Sequence, residues 1–286
     1  NYLFEASVGG GIPIIRPLCQ CLAANYIEGI AGILNGTTNF ILTMMIEKGM
    51  SFDEALKIAQ EKGYAEKDPT ADVEGYDACR KVCILASLAF GKHVYPNQVE
   101  TEGITNITLE DVSYIENAGG VIKLLGQIKY INDNEIAAFV SPAVVYNGSQ
   151  LASVKDVFNA ILVRGDAVGD VCFYGPGAGK LPTASAVVAD IIDCAKHSER
   201  KKIFGWGAGD EDYVVDYKER IEMPFYVRAK ATPAEINAKF SDVKFLSRKG
   251  QPSDEVAFIT DIMTENKLNK KLDGINVINT IKVTNY

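Results

Sequence analysis

The 286-residue chain reads as an α+β protein: a mixed or antiparallel sheet covered by helices, followed by a smaller unit that alternates strand and helix. Three observations predict this. Tyr76, Cys79, Val82, Cys83, Leu85 and Ala86 recur at helical spacing just past Gly75. Two strand-like runs, Val121–Tyr130 and Glu135–Tyr146, flank Asn132-Asp133-Asn134, which is a hairpin signal. Composition then shifts to charge and glycine over residues 198–220, around Phe204-Gly-Trp-Gly, and the pattern that resumes at residue 224 is a different one.

The elements follow in order. Residues 13–24 read as a short helix with Pro13 in its first turn, where a missing N–H is harmless. In residues 26–34, Ile27, Ile30 and Ile33 recur every three, yet β-branching and flanking glycines favour a buried strand. Asn35-Gly36 punctuates the chain. Thr37–Glu47 follows as a buried helix closed by Gly49. Ser51 and Glu54 form a capping box for the next helix, which Gly63 stops. Pro69 keeps Asp68 extended, so Glu66–Asp72 reads as an ordered turn. After the hairpin, short strands at about 160–164 and 170–174 lead to a glycine turn and a helix over 182–196. One sheet face or edge is left for a partner subunit to hide. Residues 201–223 read as a linker. Beyond it come strand Phe225–Ala231, helix Pro233–Phe240, strands Lys244–Ser247 and Val256–Ile262, helix Asn266–Leu272 and strand Ile275–Val283.

Bulk properties narrow the function classes. A net charge of −8 and a pI near 5.0 argue against nucleic acid or an anionic membrane as partner. No apolar run approaches the ~20 residues of a membrane span, and no signal peptide is legible. The six cysteines are scattered and only His93 and His197 exist, which disfavours a zinc site and fits reduced thiols in a cytoplasmic protein.

Residues 63–81, Gly-Tyr-Ala-Glu-Lys-Asp-Pro-Thr-Ala-Asp-Val-Glu-Gly-Tyr-Asp-Ala-Cys-Arg-Lys, carry the chemistry. Five carboxylates and two lysines crowd one turn and one helix start. Asp77 and Lys81 sit four apart on one helix face. As a plain surface pair they contribute ~0.2–0.5 kcal/mol. As chemistry, carboxylates orient a lysine for proton donation and grip a substrate ammonium. Spacing leaves both readings open.

This stretch closely resembles the signature of homoserine dehydrogenases, Gly-Tyr-Ala-Glu-x-Asp-Pro, then Asp, then Gly-x-Asp-Ala-x-Arg-Lys. Three further segments agree with it: Glu5-Ala-Ser-Val-Gly-Gly-Gly-Ile-Pro13, Gly32-Ile-Leu-Asn-Gly-Thr-Thr-Asn-Phe-Ile-Leu42, and Gly175-Pro-Gly-Ala-Gly-Lys-Leu-Pro-Thr-Ala-Ser-Ala186. The resemblance covers roughly residues 1–200 and implies the reversible NADP- or NAD-dependent reduction of L-aspartate 4-semialdehyde to L-homoserine. It implies Lys81 as general acid, and Asp77 and Glu66 as the groups that bind the substrate's amino end. Asp72 and Tyr64 complete the pocket, and Thr37 contacts the substrate while serving as a helix N-cap. Gly63 and Gly179 match positions where the family's backbone approaches the nicotinamide; Gly63 alone also reads as a helix C-cap. Glu5, Val8, Gly10 and Ile12 resemble a sodium site, made of a carboxylate and three carbonyls, of architectural use. Residues 175–181 are not a phosphate loop, since Tyr174 stands where the first glycine belongs and Leu181 follows Lys180.

The resemblance also implies what to look for upstream. The family's enzymes open with a dinucleotide-binding domain, which contributes a further lysine to the active site, and no Gly-x-Gly-x-x-Gly lies near this start. The chain is therefore expected to lack most of that domain and to be inactive alone, as a homodimer or higher homo-oligomer with negligible cofactor affinity. The strand and helix order of residues 224–286 resembles an ACT-type module. Its Asp-x-Pro-Gly start is here Thr232-Pro-Ala, which favours a structural or dimerising role at least as much as effector binding. A non-catalytic amino-acid sensor is the alternative function, and a different dehydrogenase or lyase on a similar scaffold is another.

Overall fold

The computed structural model describes residues 2–199 and 205–286. The expected first part of the linker, residues 201–204, lies outside them. In chain order the elements are β1 (Ile27–Ile33), α1 (Gly36–Lys48), α2 (Phe52–Glu61), α3 (Thr70–Val73), α4 (Tyr76–Phe90), β2 (Glu100–Thr101) and α5 (Leu109–Asn117). The hairpin β3 (Gly120–Asn132) and β4 (Glu135–Tyr146) follows, then β5 (Phe158–Gly165), β6 (Gly169–Pro176) and α6 (Lys180–Lys196). The second unit holds α7 (Tyr217–Arg220), β7 (Glu222–Met223), β8 (Phe225–Lys230), α8 (Pro233–Lys239) and β9 (Val243–Leu246). It ends with β10 (Glu255–Thr260), β11 (Met263–Thr264), α9 (Glu265–Leu272) and β12 (Asn276–Val283).

Local chemistry explains most of the boundaries. The Ser51–Glu54 capping box forms as its spacing requires, and Gly49 ends α1 in the left-handed region at φ 62°. The β3–β4 turn is held by Asn132, whose Oδ1 accepts the Asn134 N–H at 2.9 Å. Strand β4 is buried along nearly its whole length, which is why its sequence is a continuous apolar run rather than an alternation. Helices α1, α4 and α5 cover one sheet face, with Ile41, Val82, Leu85, Val112, Ile122 and Ile128 in a shared core.

The mixed α+β architecture is as expected, but the two units share one sheet. Its order is β6-β5-β1-β3-β4-β12-β8-β10-β9, with β2 on the same edge of β4 as β12. Strand β12 pairs parallel to β4, Lys282 opposite Ala143 and Val283 opposite Val144, so the end of the chain closes an edge of the first unit. Within the second unit β12-β8-β10-β9 is all antiparallel, the arrangement of a split βαβ unit.

Three local expectations change. The helix expected over 13–24 is only a short turn, Pro17–Cys21, with Pro17 rather than Pro13 at its start, because the N–H groups of Ile14, Ile15 and Arg16 are taken by the Glu5 carboxylate. Residues 205–216 are not a free tether. Gly207 exchanges backbone hydrogen bonds with Gly91 and His93, Trp206 Nε1 donates to His93 Nδ1 at 2.6 Å, and Ile136 bonds both Tyr213 and Val215. Gly209 permits this packing, since a β-carbon there would lie 2.3 Å from the His93 carbonyl oxygen. Thr37 is not the N-cap of α1; Asn35 is. Among the described residues no helix is long and apolar enough to cross a membrane.

Candidate active site

The site forms where β1 hands over to α1. Asn35 Oδ1 accepts the Thr38 N–H at 2.9 Å, the N-cap bond that starts α1. The Nδ2 of the same amide donates to Asp72 Oδ1 at 2.7 Å and Asp77 Oδ2 at 3.0 Å. One buried asparagine thus begins a helix and aligns two acids from α3 and α4. Gly36 is required beside it, because a β-carbon would lie 2.8 Å from the Val157 carbonyl oxygen.

Lys81 projects from α4 toward the same point. Its Nζ donates to Asp77 Oδ2 at 2.6 Å and to the Leu34 carbonyl at 2.8 Å. The two side chains are only 20% and 31% exposed, which separates this pair from an ordinary surface ion pair. An ammonium has three donors, so two fixed bonds leave a third N–H for another partner.

These groups line a cavity of about 640 Å³ together with Thr37, Gly63, Tyr64, Glu66 and Gly179. The residues that the signature singles out are therefore brought together. Thr37 donates to the Tyr64 carbonyl at 2.7 Å, and the Tyr64 ring meets Phe40 edge-on at 5.1 Å, which fixes the turn after α2. Glu66 is exposed, and its carboxylate has no hydrogen-bond partner among the described residues. Asp68, also at the rim, is held below the usual carboxylate range by hydrogen bonds from the Thr70 hydroxyl and N–H. Gly63 ends α2 at φ 73°, and a β-carbon there would meet no atom within 4 Å. Its backbone lies open to the cavity as well as capping the helix. Gly179, at φ 119°, precedes α6 on the other side. Bare backbone at both positions fits a flat ring lying against the protein.

The opposite wall, Val157, Phe158, Asn159 and Gly177, depends on residues that the sequence reading did not select. Asn39 Nδ2 lies within hydrogen-bonding distance of the carbonyls of Val154, Asp156 and Phe158, at 3.3, 3.0 and 3.1 Å. Lys123, 2% exposed on β3, donates to Asn39 Oδ1 at 3.0 Å and to the Val154 carbonyl. Burial, then the nearby Lys155 charge, lowers the Lys123 pKa to about 8. Together they hold a loop in which Asp156 adopts φ 54°. At Gly177 a β-carbon would overlap the Asn159 amide at 2.1 Å. Signals existed for two of these residues. Asn35 before Gly-Thr-Thr is an N-cap pattern, and Lys123 stands alone inside Val121-Ile122-Lys123-Leu124-Leu125.

The expected sodium site needs correction. The Glu5 carboxylate accepts the N–H groups of Ile14, Ile15 and Arg16 at 2.7, 2.8 and 2.9 Å, and Arg16 Nε lies 3.7 Å away. An anion surrounded by donors is a backbone cap, so the carboxylate does not fit the part of a cation ligand. The glycine run from Val8 to Ile12 has a packing task instead: a β-carbon on Gly10 would lie 2.3 Å from the Gly177 carbonyl oxygen, and Gly11 N–H donates to Pro176. It braces the late glycine turn of the cavity. Among the described residues no group of three or more His, Cys, Asp or Glu side chains is arranged to hold a metal.

Known proteins agree with this geometry. The homoserine dehydrogenase family model matches residues 13–192. A homoserine dehydrogenase from Synechocystis is 51% identical over 194 residues, 67% of this chain and 45% of the relative. The chain thus spans under half the length of that curated relative. The crystal structure of a homoserine dehydrogenase from Thiobacillus denitrificans superposes with a TM-score of 0.86 at 37% identity, covering 98% of this chain and 69% of that one. A hyperthermophilic archaeal homoserine dehydrogenase mutant in complex with NADPH superposes at 0.56 with 31% identity, covering 68% and 55%. By the family match across most of its length, this chain belongs to the homoserine dehydrogenases.

Proposed function

We propose that this chain carries the substrate half of a homoserine dehydrogenase, which interconverts L-aspartate 4-semialdehyde and L-homoserine on the route to threonine, methionine and isoleucine. The observation that carries the reading is Lys81, held by Asp77 and the Leu34 carbonyl at the wall of a cavity that also contains Glu66 and Asp72. NADP or NAD, when bound, supplies the hydride. The chain's own residues do the rest. Glu66, whose carboxylate is unengaged, and Asp77 take the substrate ammonium by charge-assisted bonds. Lys81 gives a proton to the oxygen of the carbonyl as it becomes an alkoxide. Asp77 and Leu34 keep that ammonium from swinging away, and Asn35 keeps Asp72 and Asp77 in register. Thr37 secures the turn that carries Tyr64. Gly63 and Gly179 leave room for the nicotinamide ring.

The NADPH complex of the archaeal relative supports use of a nicotinamide dinucleotide. Pairing of this chain as a homodimer is part of the reading. It is supported by the exposed apolar side chains of Leu181, Val188, Ile191 and Ile192 on α6, beside the edge strand β6.

In a full-length enzyme, Lys81→Met should lower semialdehyde reduction by about 10²–10⁴-fold, the usual contribution of a positioned acid. Its melting temperature should stay close to the parent's. Reduction within a few-fold of the parent would show that Lys81 is not the proton donor.

A further inference from the structure

The charges lining the cavity are unevenly matched. Four carboxylates, Glu66, Asp68, Asp72 and Asp77, face two cations, Arg80 and Lys81. Lys81 is committed to Asp77 and the Leu34 carbonyl. Arg80 is not: it is exposed on α4 and forms no ion pair or hydrogen bond among the described residues. It stands three residues after Asp77, so the two side chains leave neighbouring positions of one helix face. Lys67 and Lys180, close in sequence to the two glycine turns, do not line the cavity.

An α-amino aldehyde is a zwitterion. Its ammonium suits the acids, but its carboxylate would be repelled by the same acids unless a cation meets it. We propose that Arg80 takes the α-carboxylate of the amino-acid substrate and so selects zwitterions over simple amines. The inference rests on the substrate reading above and adds the residue that recognises the acid end. A guanidinium offers two parallel N–H donors in a plane that matches a carboxylate, whereas Lys81 offers a point charge needed elsewhere. The arrangement is then complete: acids at one end of the ligand, a guanidinium at the other, and Lys81 near the reacting oxygen.

The test compares two ligands that differ only in this charge. The 286-residue chain and its Arg80→Gln variant are titrated by NMR with L-homoserine and with L-homoserine amide. The wild-type chain should prefer homoserine, and the variant should lose about tenfold in homoserine affinity, the low end for a charged hydrogen bond because Arg80 is solvent-exposed. Binding of the amide should change little. Unchanged homoserine binding in the variant, or an equal loss for both ligands, overturns the inference. Loss of NADPH affinity alone, in a full-length Arg80→Gln enzyme, would assign the guanidinium to a phosphate and overturn it too. A wild-type chain that binds no homoserine refutes the substrate reading itself, a result distinct from failure of Arg80.

Discussion

Two clusters of charge in this molecule have the same ingredients and opposite designs. In the cavity, Glu66, Asp72, Asp77, Arg80 and Lys81 are partly open, and some of their hydrogen-bonding capacity is unused. At the joint between the units, Asp111 of α5, Arg228 of β8 and Glu255 of β10 are 0%, 5% and 7% exposed and close on one another. Arg228 lies 2.8 Å from Asp111, Arg248 lies 2.9 Å from Glu255, Tyr226 donates to Asp111 at 3.0 Å, and Tyr114 donates to Glu255 at 2.9 Å. Burial pushes the Tyr114 hydroxyl up to about 12, with Glu255 adding to it, so it stays a donor at any physiological pH. Charge that is satisfied internally holds parts together; charge left unfinished beside a cavity is available to a ligand.

Breaking the joint should give the largest effect on stability. Arg228→Met leaves Asp111 buried without its cation, and chemical denaturation should report a loss of about 3–5 kcal/mol. Homoserine affinity, measured on the remaining folded protein, should not change. A loss below ~1 kcal/mol would mean that the joint is not as closed as its exposure implies.

Lys123 sharpens the comparison because it belongs to neither class, being buried yet part of the cavity's supporting wall. Its folded pKa of about 8 lies below the ordinary lysine value, so between the two the unfolded chain binds the extra proton. Stability should therefore rise with pH from about 8 to about 10.5, by up to ~3 kcal/mol from this group. The parent-minus-variant difference in denaturation free energy, with Lys123→Met as the variant, should carry that slope. A difference that is flat across the window would place the ammonium in a wetter setting.

The smallest effect on stability belongs to Asn35→Ala. Loss of the N-cap should cost about 1 kcal/mol in a thermal melt. The same change frees Asp72 and Asp77, so homoserine affinity should fall in the titration described above. An intact affinity would show that the acids need no alignment from Asn35.

The two regions also differed in how far they could be read from sequence. Helix α4 and the α2 capping box were legible because their signals are local: apolar residues at helical spacing, and a serine three residues before a glutamate. In the second unit the strand and helix order was equally legible, but its seam with β4 was not, because nothing in Lys282 or Val283 names a partner so far away in the chain. The site's acids and Lys81 were named by resemblance. Asn35, Asn39 and Lys123 were passed over because their partners are carbonyls and amides brought in by folding. Glu5 was misjudged for a related reason: a carboxylate beside a glycine run suits a cation or a cluster of N–H groups equally well, and only the fold decides which arrives.

One contact near the last strand reaches further than its size suggests. The Lys282 ammonium on β12 sits 3.2 Å from Glu102, and the next residue, Gly103, is wedged where a β-carbon would be 2.2 Å from the Val73 carbonyl oxygen. Val73 directly follows Asp72. A shove on the final strand would therefore travel through a stack with no slack, arriving one residue from an acid that grips the substrate side of the molecule.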